Sequence, residues 1–210
     1  MIFLFILTAV LSYIIGSLNY SIIFSKIFMN TDVRSSGSGN AGSTNMMRNY
    51  GWKAGVITLL TDFLKTFVVT FGTWILFTIY YPVWVQPAVA VSGLFCVLGH
   101  CFPVFFSFKG GKGVAVGAIT SLLVDWRCFI VIVASFLIFV AISKHISLGS
   151  VIGAIAFPAS FAFFNDFHTL QGSISFTVTL IICLLVVFLH RKNIVRIFKG
   201  TESKLSFKKI

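Results

Sequence analysis

Acidic residues are nearly missing: 210 residues carry 5 Asp+Glu against 16 Lys+Arg, and charged residues make up only 10% of the chain. A soluble domain carries about 25% charged residues, so an ordinary water-facing globule is excluded. The five acids, Asp32, Asp62, Asp125, Asp166 and Glu202, are scattered. They are too few for the carboxylate cages of Mg²⁺ or Ca²⁺, and no metal or other cofactor is expected. Cysteine is scarce as well. Cys96, Cys101, Cys128 and Cys183 lie in or beside apolar runs, without Cys-x-x-Cys or Cys/His spacing, which reads as small core residues and not as a metal site. No internal repeat is found, and the apolar N-terminus lacks a basic n-region, so a retained first helix is expected and not a cleaved signal.

What the chain has in excess is apolar sequence, with 58% hydrophobic residues and a mean hydropathy of +1.01. Crossing the bilayer takes about 20 apolar residues, and seven candidate segments emerge: 2–24, 54–80, 85–106, 113–125, 128–143, 147–164 and 173–190. The expected fold is a single all-α unit over 1–210, a polytopic transmembrane bundle of seven helices with the fourth one short. With the N-terminus outside, fourteen of the sixteen basic residues, among them Lys26, Arg34, Arg48, Lys53, Lys109, Lys112, Lys144, Lys208 and Lys209, fall on the inner side; only Arg127 falls outside, and Lys65 lies within a helix. The positive-inside rule therefore puts the polar loops and the C-terminus in the cytoplasm. A five-crossing variant in which 113–143 dips in and returns keeps the same sidedness. The net charge of +11 marks membrane edges and an anionic substrate or lipid; no nucleic-acid partner is expected, since no extramembrane sheet of aromatic and basic residues exists.

Three polar segments share the inner side. The first, Arg34-Ser-Ser-Gly-Ser-Gly-Asn-Ala-Gly-Ser-Thr-Asn-Met-Met-Arg48, offers glycines that can turn backbone N–H groups onto one anion, hydroxyl and amide side chains, and flanking arginines that suit phosphate oxygens. A plain linker needs no such arginines. The second runs Gly99-His-Cys-Phe-Pro103 and then Phe108-Lys-Gly-Gly-Lys-Gly-Val-Ala115. Its glycines lead directly into an apolar helix, placing a helix N-terminus beside two lysines, which favours phosphate. Glycine at 113 rules out a Walker A loop, which needs a hydroxyl there. The third, His190-Arg-Lys-Asn-Ile-Val-Arg196 through Lys204, could be a basic tail lying on lipid, but His190 and Asn193 share a helix face. Within the second helix Asp62 and Lys65 should pair, because each alone is costly in a bilayer; Asp62 lies about 12 Å from the helix start and should support the site floor.

Taken in order, SGSGNAGSTNMMR, GHCFPVFFSFKGGKGVA and HRKNIVRIFKGTESK closely resemble the bacterial membrane glycerol-3-phosphate acyltransferases that use acyl phosphate as donor. Ser43 and Val116 depart from the pattern. The resemblance implies transfer of a fatty acyl group to the sn-1 hydroxyl of glycerol 3-phosphate, giving lysophosphatidic acid and phosphate at the inner membrane as the first step of phospholipid synthesis. It implies acyl phosphate, glycerol 3-phosphate and membrane lipid as partners, with an enzyme that supplies the acyl phosphate. As catalytic residues it implies Lys112, His190, Ser38 and Arg48. For substrate binding it implies Gly37, Gly39, Asn40, Gly42, Thr44, Asn45, His100, Lys109, Gly110, Gly111, Gly113, Asn193, Arg196 and Glu202, with the Gly110–Gly113 loop on the acyl-phosphate head. No histidine has Asp five residues on, so the base is expected to be a substrate phosphate oxygen or His190. Two rivals remain: a transporter or binder of a phosphorylated solute, disfavoured because the polar segments sit at one edge, and a metal-dependent alcohol phosphatidyltransferase, disfavoured by the shortage of acids.

Overall fold

Backbone inside hydrocarbon has no water to bond, so runs of this length must satisfy their own N–H and C=O groups, as helices do. The computed structural model describes residues 1–205, and among them no strand occurs. The helices are α1 (Ile2–Gly16), α2 (Tyr20–Met29), α3 (Ser43–Tyr50), α4 (Trp52–Tyr80), α5 (Val85–Cys101), α6 (Val114–Val124), α7 (Trp126–Ser143), α8 (Ile146–Phe164), α9 (Leu170–Leu189) and α10 (Arg191–Phe198). Among the described residues six stretches are long and apolar enough to cross a membrane, the first being α1 and α2 together. Of the basic residues assigned to the inner side, Lys208 and Lys209 lie outside the described residues.

The short α6 reaches the far polar end of the bundle. Its start follows the Gly110–Gly113 loop, while its last carbonyl, at Val124, accepts a hydrogen bond of 3.5 Å from Gln86 at the start of α5. Around that far end Asn165, just after α8, accepts from Gln86 (2.9 Å) and donates to Asp125 (2.9 Å), which also holds Arg127 at 2.6 Å. Eleven residues rise only about 16 Å, against about 25 Å for the seventeen of α5. The N-terminus of α6 is therefore recessed into the bundle below the ends of its neighbours.

Sequence patterning implied one continuous helix over 2–24. The structure breaks it at Ser17–Asn19, because Asn19 in extended conformation caps α2, its side chain accepting from Ile22 N–H. The break frees the carbonyls of Gly16 and Leu18, and Lys65 Nζ takes both, at 3.1 and 2.9 Å. Lys65 also lies 2.8 Å from Asp62 Oδ1, outside a hydrogen-bonding angle, so that attraction is chiefly Coulombic. Glycines bring α1 and α5 close: a side chain on Gly16 would strike Cys96 backbone, and one on Gly99 the backbone of Tyr13 and Ser17. Ser12, Ser92 and Thr73 then bond across α1, α5 and α4 at 2.7 and 3.1 Å, the small-residue and hydroxyl packing that holds helices together in lipid.

Replacing Lys65 by Met should strand a buried carboxylate and two helix-end carbonyls, lowering stability by about 3–5 kcal/mol. We expect a clear fall in Tm of the detergent-solubilised protein. Adding Asp62→Asn should recover part of it, and an unchanged Tm would show that the pair carries no stability.

Candidate active site

Three polar segments converge at one end of the bundle: a buried side chain, Asn19, ties the backbones of the first two, and the third joins them through Lys112 and Asn193. Asn19 Nδ2 donates to Ala41 O (3.3 Å) in the first loop and to His100 O (3.5 Å) at the end of α5. Gly110 O in the second loop accepts from Ala41 N–H at 3.4 Å. Asn45 shapes the first loop from inside: its Oδ1 accepts from Ser38 N–H, and its Nδ2 donates to Val33 O and Ser36 O, each at 3.0 Å. Gly37 and Gly39 adopt φ of 60° and 70°, the left-handed region that glycine enters at least cost.

The result is a cavity of about 530 Å³ lined at its polar end by Ser38, Asn40, Gly42, Ser43, Thr44, Asn45, Arg48, Asp62, His100, Lys112, Gly113, Ser147, His190, Asn193 and Glu202. Two helix N-termini open onto it. Gly42 precedes α3 and Gly113, at φ 78°, precedes α6; among the described residues the N–H groups of Ser43, Thr44, Val114, Ala115 and Val116 have no backbone acceptor. Such N–H groups, with the positive ends of two helix dipoles, favour an anion. From there the cavity continues as an apolar groove between α4, α6, α7, α8 and α9, past Val56, Leu59, Phe63, Val114, Gly117, Ala118, Val133, Ile132, Gly153 and Ile182 to Phe157 and Phe129.

Several expected site residues have other work. Gly110 N–H donates to Cys101 O and Gly111 N–H to His100 O, both at 3.0 Å, so neither is available for a phosphate. Their lack of a side chain is what the loop uses, since a Cβ on Gly111 would run into the His100 ring and one on Gly110 into the His100 carbonyl. Lys109 is exposed and lies outside the cavity lining. Arg34, one of the two arginines read as phosphate donors, is paired with Asp32 at 2.7 Å and donates to Phe106 O and Lys109 O at 2.9 Å, stapling the first loop to the second. Gly37, Gly39 and Arg196 are likewise not in the lining. Arg48 is exposed, lines the cavity and, among the described residues, forms no ion pair.

Lys112 is central to the charge. Burial, with the nearby Arg196 and Arg48 charges, pulls its ammonium down to about 8, although Glu202 opposes the shift. Its Nζ donates to Asn193 Oδ1, and Asn193 Nδ2 donates to Glu202 Oε1 at 2.6 Å. Glu202 is fully engaged, accepting also from Ser147 Oγ at 2.8 Å and Arg196 Nε at 2.7 Å; despite burial, these donors keep its carboxyl below the usual range. It orients Asn193 and ties α8 to α10. His190 falls at the junction of α9 and α10, where Nδ1 faces Val186 O at 2.8 Å. A carbonyl can only accept, so Nδ1 carries the proton and Nε2 presents a lone pair. Burial first, then the Lys112 charge, lowers His190 to about 4, so at neutral pH the ring is an uncharged acceptor. His100 sits between the buried pair and the second loop, its Nδ1 3.2 Å from Lys65 Nζ and 3.5 Å from Asp62 Oδ1.

Sequence reading did not single out Asn19 or Ser147. Asn19 interrupts an apolar run, a signal of a break that was available; Ser147 inside a helix carries none.

Residues 6–200 match the family described as Glycerol-3-phosphate acyltransferase. A glycerol-3-phosphate acyltransferase of Staphylococcus carnosus is 36% identical over 96% of this chain and 98% of that protein. Glycerol-3-phosphate acyltransferase 2 of Bacillus anthracis is 38% identical over 95% and 98%. The crystal structure of PlsY, an integral membrane glycerol 3-phosphate acyltransferase in its glycerol 3-phosphate form, superposes with a TM-score of 0.83 at 29% identity, covering 96% of each chain. Its lysophosphatidic acid form gives 0.79 at 28%.

Because Lys112 is charged below about 8 and neutral above it, anion affinity should fall as pH rises from 7 to 9. Sulfate, whose own charge is constant there, should bind several-fold more weakly at the upper end by calorimetry. Lys112→Arg, which keeps its charge, should flatten the profile; a flat wild-type profile would remove Lys112 as the titrating cation.

Proposed function

The chain belongs to the glycerol-3-phosphate acyltransferase family, and from that membership we propose how its cavity runs the reaction and with which donor. The protein transfers a fatty acyl group to glycerol 3-phosphate. We take the donor to be acyl phosphate, the acceptor to be the sn-1 hydroxyl, and the whole chain to work as one membrane-embedded unit with its site facing the cytoplasm. The observation that carries this reading is the meeting of two helix N-termini and Lys112 at the mouth of an apolar groove, which suits two phosphates and one lipid tail.

In this reading glycerol 3-phosphate lies against the α3 end, held by Ser38, Arg48 and the N–H groups of Ser43 and Thr44, with Asn193 and His190 on its glycerol. Acyl phosphate lies with its head at Gly113 and the α6 N-terminus and its tail in the groove. The hydroxyl oxygen attacks the acyl carbon, the bond from that carbon to the phosphate oxygen breaks, and inorganic phosphate leaves. A mixed anhydride is already activated, so catalysis is chiefly orientation plus stabilisation of the oxyanion and the departing phosphate. Lys112 and the Val114 and Ala115 N–H groups supply the latter.

His190 Nε2 can accept the hydroxyl hydrogen bond and so aim the nucleophile. With its basicity lowered to about 4, it is a poor final proton acceptor at neutral pH, where the best base titrates near the working pH. A phosphate oxygen, with a second pKa of about 6, is better matched and takes the proton.

Purified protein given palmitoyl phosphate and glycerol 3-phosphate should release inorganic phosphate only when both are present, with Lys112→Ala reduced by at least about 10²-fold and palmitoyl-CoA inert as donor. Binding of glycerol 3-phosphate without release would favour a solute binder, and turnover with palmitoyl-CoA would overturn the donor. For sidedness, the exposed Asn49→Cys and His168→Cys variants should behave oppositely in intact cells: an impermeant maleimide should label position 168 and spare 49. The reverse pattern would invert the topology.

A further inference from the structure

The groove has a neck and a floor, and both are readable from single residues. Gly117 is buried, yet beyond its own helix backbone a methyl placed on it would meet, among the described residues, only Ile182 Cγ2 within 4 Å, at 3.4 Å. A buried residue bordered by open space is the wall of a cavity. It stands four residues past Gly113, about 6 Å below the polar mouth by helical rise. Ile182, which it faces, lies eight residues before His190 on α9, about 12 Å down.

Farther in, α8 begins at the polar end, where Ser147 bonds Glu202. Gly153 is about 10 Å along it and Phe157 about 16 Å. Both line the cavity, whereas Pro158 and Phe161 do not. Phe157 is 2% exposed and belongs to the main core cluster. On α7, which runs back from Ser143, the last lining residue is Phe129, about 21 Å down. Phe157 and Phe129 are thus the deepest lining residues on their helices.

We propose that Phe157, with Phe129, sets acyl-chain length by stopping the tail's end, while Gly117 keeps the neck open for every tail that must pass it. This rests on the acyl-transfer reading above. The physical warrant is that a hydrophobic pocket discriminates by fit, each methylene gained or lost being worth about 10–200-fold. Gly153 is a bystander by the same measure, because its added methyl would meet Ile132 O at 3.4 Å and Phe136 Cβ at 3.7 Å, filling a helix contact and not the lumen.

The test compares kcat/KM for dodecanoyl, palmitoyl and eicosanoyl phosphate in wild type, Gly117→Val and Phe157→Leu. Binding of lysophosphatidic acids of the same chain lengths is read in parallel by thermal shift, which needs no donor. Gly117→Val should lower dodecanoyl, palmitoyl and eicosanoyl alike by about tenfold or more, and Phe157→Leu should raise eicosanoyl relative to palmitoyl by a similar factor. If valine impairs folding, Gly117→Ala adds one methyl at ordinary contact distance and should lower all three chain lengths by less. An equal effect of Phe157→Leu across all chain lengths in turnover and in binding would overturn the ruler while leaving the reaction intact. A binding preference that shifts as expected, in a protein that turns over no acyl phosphate, would overturn the donor and keep the ruler.

Discussion

In a chain this apolar every helix end buried in the bundle must find partners for its backbone, since no water is there to serve. The fold is organised around that demand. Where α1 stops short, the ammonium of Lys65 takes the Gly16 and Leu18 carbonyls, and Asp62 beside it balances the charge. Where α5 ends, the carbonyls of His100 and Cys101 are taken by the N–H groups of Gly111 and Gly110. The glycines of the second loop are thus structural plugs, small enough to be pressed against a helix end and the His100 ring. Among the N–H groups without a backbone acceptor, those at the starts of α3 and α6 face one cavity.

Depth gives that site its character. Because α6 is only eleven residues long, its positive end and Lys112 sit below the bundle rim, in surroundings where burial lowers the lysine to about 8. A cation held that way gains more from an arriving phosphate than one at the surface, since the anion restores a charge that the protein alone disfavours. The same shortness leaves the groove mouth next to Lys112, so a polar head can be neutralised while its tail stays in an apolar channel. Recessed helix, softened lysine and adjoining groove are three consequences of one chain length.

The membrane bundle was legible in the sequence because hydrophobic length and the uneven spread of lysine and arginine are properties of segments. Lys112, His190 and Asn193 could be picked out for a related reason: they are polar residues at the edges of apolar runs, where little else explains them. What could not be read was which polar atoms were already spent. Arg34 and Arg48 flank the same loop, yet Asp32 claims the first and leaves the second to the cavity. Lys109 and Lys112 flank the same glycines, yet only Lys112 lies in the lining. Asn45 looks like a ligand in a glycine-rich loop and is in fact its internal strut. Such choices depend on contacts between residues tens of positions apart, and local spacing does not encode them.

Glu202 presents the sharpest case, since a carboxylate beside a phosphate site ought to weaken it. Its two oxygens accept from Ser147, Asn193 and Arg196, so its charge is turned inward and matched by a cation outside the lining. The cost of the acid is offset by what it fixes. An unsupported asparagine amide can flip end for end, whereas here one end is set by Glu202 and the other by Lys112. That orientation makes Asn193 present its oxygen to the lysine, holding the ammonium at the cavity wall before any anion arrives. Preorganisation of this kind lowers the rearrangement needed when charge develops during reaction, and it explains why an anion site can benefit from containing an acid.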